Sequence, residues 1–282
     1  MSGHHHHPDH RSDLRWLGLA LGLNLLFVVV EVIAGLLSGS LALLSDAAHM
    51  AVDALAIGLA LGASYLSLKP ASGSYSFGLG RTQILSAQAN GIFMCILGGW
   101  LGLESVLRLL HPHAIDSATL LWVGGAGVAV NGLAALCIHQ ANRGLHTHGA
   151  FLHSLYDMLA SLGAVVAGII IWQTGFYQAD SIAALVVCAL MLYGGWGLLR
   201  DSGRVLLEAA PKGLEPEKVG PILAAHKGVW EVHDLHIWEL ASGSAALSAH
   251  ILVGEEDDCH LIRLRLHELI QEQFSITHTT LQ

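Results

Sequence analysis

The sequence predicts an α-helical polytopic membrane protein, with six transmembrane helices followed by a small C-terminal α+β domain of order α-β-β-α-β. Three observations carry this reading. The 282 residues are 53% apolar and only 12% charged, with 32 glycines and a mean hydropathy of +0.56, far from the balance of a soluble domain. Six apolar stretches are each long enough to cross a hydrocarbon core of about 30 Å, which needs roughly 20 helical residues. After LLEAAP at 206–211 the composition changes to shorter, amphipathic segments.

The six stretches run approximately Leu14 to Leu37, Ser40 to Ser67, Gln83 to Leu109, Ala118 to Ile138, Gly149 to Thr174 and Ser181 to Leu199. Between them lie short connectors rich in Gly, Pro and Ser, such as LKPASGSYSFGLGR, and others such as HPHAIDSA. Arg11, Arg15, Lys69, Arg81, Arg143, Arg200 and Arg204 all fall at ends that share one side, which the positive-inside rule makes cytoplasmic. Arg108 is the exception. It sits one turn after Glu104, so that the two charges can partly neutralise each other. Gly98, Gly99 and Gly102, and the run GGAGVAVNG, supply the small residues that let helices pack closely in lipid.

Beyond residue 208, EPEKVGPILAAH reads as an amphipathic helix, WEVHDLHIWEL and SAALSAHILV alternate as strands, and DCHLIRLRLHELIQEQF is a second helix before SITHTTL. The chain therefore divides into a His-rich tail (1–13), a transmembrane domain (14–208) and a cytoplasmic domain (209–282). The last is too short to enclose a large enzymatic pocket. Residues 211–282 hold 5 Lys/Arg against 11 Asp/Glu, so 5 − 11 = −6 of the net −9 resides there, which excludes a nucleic-acid partner.

Four cysteines without CxxC spacing imply neither a disulfide framework nor a zinc knuckle. Cys95, Cys137 and Cys188, lying in apolar runs, are expected to be small buried hydrophobes. Of 19 histidines, five lie in the opening MSGHHHHPDH, either a metal-scavenging tail or a tag remnant. No cleavable signal peptide is expected, because the first apolar run is long enough to span and no small-residue cleavage pattern follows it.

The residues that carry chemistry lie within the apolar helices. His49 and Asp53 are four apart and stack on one helix face, with Asp46 on the same side; His153 and Asp157 repeat the spacing in helix five. Ionisable groups at mid-membrane cost several kcal/mol unless paired or wet, which weighs against a role in packing alone. Two such pairs facing each other make a His2Asp2 cage, and that donor set suits zinc best, with cadmium a plausible substitute. Imidazole ligates only when neutral, and its unperturbed pKa of about 6.5 makes protons the natural competitor. If access to such a closed site alternates between the two sides, metal and proton fluxes are opposed: a metal/proton antiporter.

Two other classes remain. An intramembrane zinc hydrolase would want HExxH or an open fourth ligand position, neither of which is evident. A divalent-metal channel or sensor would need looser binding than a four-ligand cage gives, and a dependence of flux on a proton gradient separates it from an antiporter.

Taken together, six spanning helices, HxxxD in helices two and five, SLALLSDAAHM, FGLGR at Phe77–Arg81 and VHDLHIW resemble the cation diffusion facilitator family of zinc transporters. The likeness extends over nearly the whole chain from about residue 14. It implies a homodimer that moves zinc out of the cytosol against inward protons, with His49, Asp53, His153 and Asp157 as the transport site and Asp46 on the path toward it. It implies further metal ligands near His233, His250 and His260 in the cytoplasmic domain, and a salt bridge from Arg81 to Glu208 tying that domain to the membrane domain. The compact length and brief loops suggest a bacterial cytoplasmic (inner) membrane, with both termini inside.

The chain also departs from the family pattern. Gly80 stands where many relatives have a loop histidine that helps form a peripheral metal site, so that site is not expected. The connector HQANRGLHTHG offers only His139, His146 and His148, either weak zinc recruiters or solvated polar residues. His233 and His236 are three apart on a strand, and simple alternation puts them on opposite faces.

Overall fold

The computed structural model describes the backbone of residues 10–140, 145–241 and 243–282, and side chains of residues 22–136, 155–241 and 243–282. Its elements are α1 (His10–Ser38), α2 (Leu41–Ser67), α3 (Thr82–Leu110), α4 (Ser117–Gln140), α5 (Leu145–Thr174), α6 (Gln178–Leu206), α7 (Pro216–Ala224), β1 (Val229–Ala241), β2 (Ser244–Val253), α8 (Cys259–Phe274) and β3 (His278–Leu281). Among the described residues, five helices are long and apolar enough to cross a membrane, and the described part of α1, Gly22–Ser38, is a shorter apolar helix. The chain is a multi-pass membrane protein with a small α+β domain at its C-terminal end.

Two compact units partition the chain: residues 1–57 with 92–196, and residues 58–91 with 197–282. In the first unit α4 packs along α5 and α1. Its core joins Leu43, Ile115, Leu120 and Ile171 with Ala34, Ala42, Ala164, Ala167 and Ala179, whose small side chains allow backbones to approach. Gly127 marks the tightest approach, since a Cβ there would stand 2.7 Å from the Ser161 hydroxyl oxygen. Gly98 likewise faces the backbone of α6, whereas Gly99 and Gly125 meet nothing within 4 Å. Asp116 starts α4 by accepting from the Ala118 N–H at 3.1 Å and from the Thr119 hydroxyl, and the Thr119 bond holds its carboxyl below the usual aspartate range.

Arg108, the residue out of step with the charge pattern, is accounted for within this unit. Its Nε donates to Glu104 at 2.9 Å and its Nη1 to the Gly39 carbonyl at 2.6 Å, in the tight turn between α1 and α2. Gly39 has φ +73° there, a left-handed conformation that glycine adopts without steric penalty. Cys188 is buried and Cys95 half-buried; Cys259 is exposed. The Cys137 side chain lies outside the described residues.

In the second unit, β1 and β2 pair antiparallel and β3 adds in parallel to β2, giving the order β1-β2-β3. Ile262, Leu266 and Ile270 recur every fourth residue along α8 and meet Val219 and Leu223 of α7, Ile237 of β1 and Leu247 of β2 in one core. Asp258 caps α8 by accepting from the His260 and Leu261 N–H groups. The same unit holds the loop after α2. Thr82 donates to the Ala63 carbonyl, Gln83 to the Ser67 hydroxyl, and Phe77 meets the His278 ring edge-on at 5.7 Å. Gly80 lies so close to Ala241 that a Cβ at position 80 would stand 2.5 Å from the alanine methyl.

Gly127→Val should destabilise the first unit by about 1–3 kcal/mol through overpacking, visible as a lower unfolding temperature in detergent. Gly125→Ala, which enters open space, should leave that temperature within error.

Candidate metal centre

The centre is built by helical spacing on α2 and by the approach of α5. His49 and Asp53 are one turn apart, with His49 Nε2 3.5 Å from Asp53 Oδ2. From α5, the Asp157 Oδ1 stands 3.8 Å from the same imidazole nitrogen. One ligand atom from each of these three residues lies within 4.8 Å of the others. Two donors bound to one tetrahedral zinc at about 2.0–2.1 Å sit roughly 3.3 Å apart, so small adjustments would seat an ion among them. Asp157 is buried, while His49 and Asp53 are partly exposed. That combination gives negative charge in a low-dielectric setting together with a route of access.

His153 lies on α5, one turn before Asp157. Its side chain is outside the described residues, as are those of His139, His146 and His148. Asp46 lies one turn before His49, almost fully buried, and accepts a hydrogen bond from the Ser161 hydroxyl at 2.8 Å. Asn131 Nδ2 of α4 reaches the same hydroxyl at 3.4 Å. A carboxylate that sequence reasoning missed completes this layer. Glu31 of α1, with no exposed surface, lies alongside Asp46. Its sequence signal is an acid inside LLFVVVEVIAGLL, a polar interruption with no partner four residues away on its own helix.

In the C-terminal α+β domain the structure joins two of the three expected ligands. His233 and His250 are register partners across β1 and β2, with ring centroids 5.4 Å apart. His260 stands on a different element, in the first turn of α8. Among the described residues, the His49, Asp53 and Asp157 group alone brings three ligand atoms this close.

Simple alternation along β1 fails at Asp234. That residue has φ +53°, and the register shifts between His233 and His236, as a β-bulge does. Asp234 therefore meets two histidines, His236 Nε2 at 2.8 Å and His250 Nε2 at 3.8 Å. The hydrogen bond to His236 holds the Asp234 carboxyl below its usual range. Arg81 and Glu208, the expected pair, do meet, Nη2 to Oε1, at 3.2 Å.

Since imidazole ligates only without its proton, zinc affinity at this centre should fall as pH is lowered. Asp157→Ala should remove that pH-dependent component of zinc binding to the detergent-solubilised protein, measured by titration calorimetry. Retention of the component would remove Asp157 from the centre.

Residues 17–207 match the model of the cation efflux transmembrane domain, and residues 211–282 that of the cation efflux protein cytoplasmic domain. The cadmium, cobalt and zinc/H(+)-K(+) antiporter of Bacillus velezensis is 34% identical over 99% of this chain and 91% of its own length. The metal cation efflux system protein CzcD of Cupriavidus metallidurans is 34% identical over 100% of this chain and 89% of its own. Zinc transporter ZitB of Escherichia coli is 32% identical over 98% of this chain and 89% of its own.

Proposed function

Because the chain belongs to the cation efflux, or cation diffusion facilitator, family, we propose that it is a zinc/proton antiporter whose exchange site is formed by His49, Asp53, His153 and Asp157. Members of this family are transporters, so the hydrolase reading falls away. The observation that carries the proposal is the convergence of His49, Asp53 and Asp157 from two membrane helices. Helical spacing puts His153 one turn before Asp157 on α5, which supports it as the fourth ligand. The names of the relatives, antiporters and transporters of zinc, cadmium and cobalt, support divalent-metal exchange against protons.

In this reading Asp53 and Asp157 supply the negative charge that draws a divalent ion out of water, and His49 and His153 complete a tetrahedral shell. Binding requires both imidazoles to be neutral. Their protonation when the site faces the opposite side weakens the shell and favours release, and the protons then travel back as the site returns. Asp46, hydrogen-bonded to Ser161 and beside Glu31, extends the polar track away from the cage, and we assign it to the proton path.

The working transporter is a homodimer in a bacterial inner membrane, both termini cytoplasmic, exporting Zn2+ with Cd2+ as an alternative cargo. We divide it at about residue 208 into transport and cytoplasmic domains. The latter takes up metal at His233 and His250, with His260 contributing from α8; the cross-strand pairing of the first two supports this. The Arg81–Glu208 pair ties the loop after α2 to the segment after α6. Both partners are well exposed, so the pair itself is worth at most about 1 kcal/mol, enough to bias a near-balanced conformational equilibrium.

The deciding experiment is zinc flux into proteoliposomes with and without an imposed pH gradient. Gradient-dependent flux in the wild type and none in Asp157→Ala is expected, whereas flux indifferent to the gradient would favour a channel. In the same assay His49→Asp, which exchanges a borderline imidazole for a hard carboxylate, should raise transport of manganese relative to zinc. An unchanged metal profile would place selectivity elsewhere.

A further inference from the structure

We infer that Asp180 of α6 is a positioning residue for the metal centre: it holds the first turn of α2, and so fixes the height and rotation at which His49 and Asp53 present themselves to Asp157. The inference rests on the proposed metal site and concerns a residue remote from it.

Asp180 has no exposed surface, and its partners are the start of another helix. Its Oδ2 accepts from the Leu41 N–H at 2.7 Å. Its Oδ1 accepts from the Ala42 N–H at 3.2 Å and from the Ser40 hydroxyl. Ser40 Oγ in turn accepts from the Leu43 N–H at 3.2 Å. Three of the N–H groups that a helix leaves without intrahelical partners at its first turn are thereby satisfied, and the carboxylate lies at the positive end of the helix dipole.

The turn leading into α2 is held from other elements as well. Arg108 of α3 donates to the Gly39 carbonyl, and the Asp116 N–H donates to the Ser38 carbonyl. Ser40, Leu41, Ala42 and Leu43 are all buried, so the end of α2 cannot shift without disturbing packed neighbours.

This anchorage sets the metal centre because an α-helix transmits position along its axis. His49 follows Leu41 by eight residues, about 12 Å at 1.5 Å per residue, and each residue of rotation swings a side chain by roughly 100°. A small change of register at Leu41 therefore carries His49 and Asp53 off the arc that faces Asp157. Asp180 touches neither ion nor ligand. Its effect is felt through the orientation of α2, much as residues behind metal ligands tune affinity by fixing ligand geometry.

The test uses the full-length protein, with zinc and cadmium affinities taken from the Asp157-dependent component of binding. Metal-free melting and size-exclusion profiles serve as the measure of folding. Asp180→Ala, where it folds, should weaken zinc binding by about 10-fold or more and narrow the zinc-to-cadmium discrimination, a readout that a general loss of stability would not move. Asp180→Asn should rescue part of the loss, because its carbonyl oxygen can still accept from Leu41. Ser40→Ala should shift both quantities in the same direction by less, and these two variants decide the matter if Asp180→Ala fails to fold. Folded variants with wild-type zinc affinity and wild-type discrimination would overturn the role of Asp180 alone. Absence of any Asp157-dependent zinc binding in the wild-type protein would instead overturn the metal-site reading, and with it the anchor.

Discussion

A carboxylate placed in hydrocarbon must find its partners inside the protein. This bundle carries Glu31, Asp46, Asp157 and Asp180 on α1, α2, α5 and α6, each with 1% exposure or less. Packing alone would not retain such groups, since every one could be replaced by an apolar residue that lipid-embedded helices tolerate better. Their retention organises the first unit: Asp180 finishes the start of α2, Asp46 and Ser161 join α2 to α5, and Asp157 meets the imidazole of His49. Small residues then become a requirement, because hydrogen bonds of ordinary length between helices demand close backbones. Gly127 beside Ser161 is where that demand is most acute.

Under the proposed function, the same arrangement separates two tasks that the metal centre would have to combine. Seating a divalent ion needs ligands held at fixed spacing, whereas releasing it needs a shell that a competing cation can open. Here the fixed spacing comes from helix geometry and from hydrogen bonds at a distance, such as those at Leu41 and Ala42. The susceptibility to opening comes from using imidazole, the side chain whose charge changes nearest to cellular pH. Carboxylates alone would bind harder ions and would need more acid to let them go.

Much of this could be read from the residues in order, and the exceptions have physical causes. The spanning helices were legible because length and apolarity are one-dimensional properties. So was the pairing of His49 with Asp53, since a spacing of four always places two residues on one helix face. Glu31 was passed over because its partner lies on the next helix and its own neighbours give no hint of one. Asp180 sits just outside the apolar stretch that begins at Ser181, where an acid looks like an ordinary interfacial charge. Its three hydrogen bonds depend on tertiary placement alone. The strand β1 misled more directly: a period of two assumes uninterrupted pleating, and the positive φ of Asp234 is adopted by a non-glycine residue with no motif to announce it.

The contact between Gly80 and Ala241 carries a consequence for how such a loop can change over time. With only 2.5 Å between an added Cβ and the alanine methyl, any side chain at position 80 would pry the loop after α2 away from the end of β1. A histidine able to grip a metal there and the present seat on the strand are thus alternatives. A lineage could acquire the former only by giving up the latter, or by first trimming Ala241 to glycine. The loop is committed to fitting against its neighbour, and gaining chemistry at that spot while keeping the fit would take at least two coordinated substitutions.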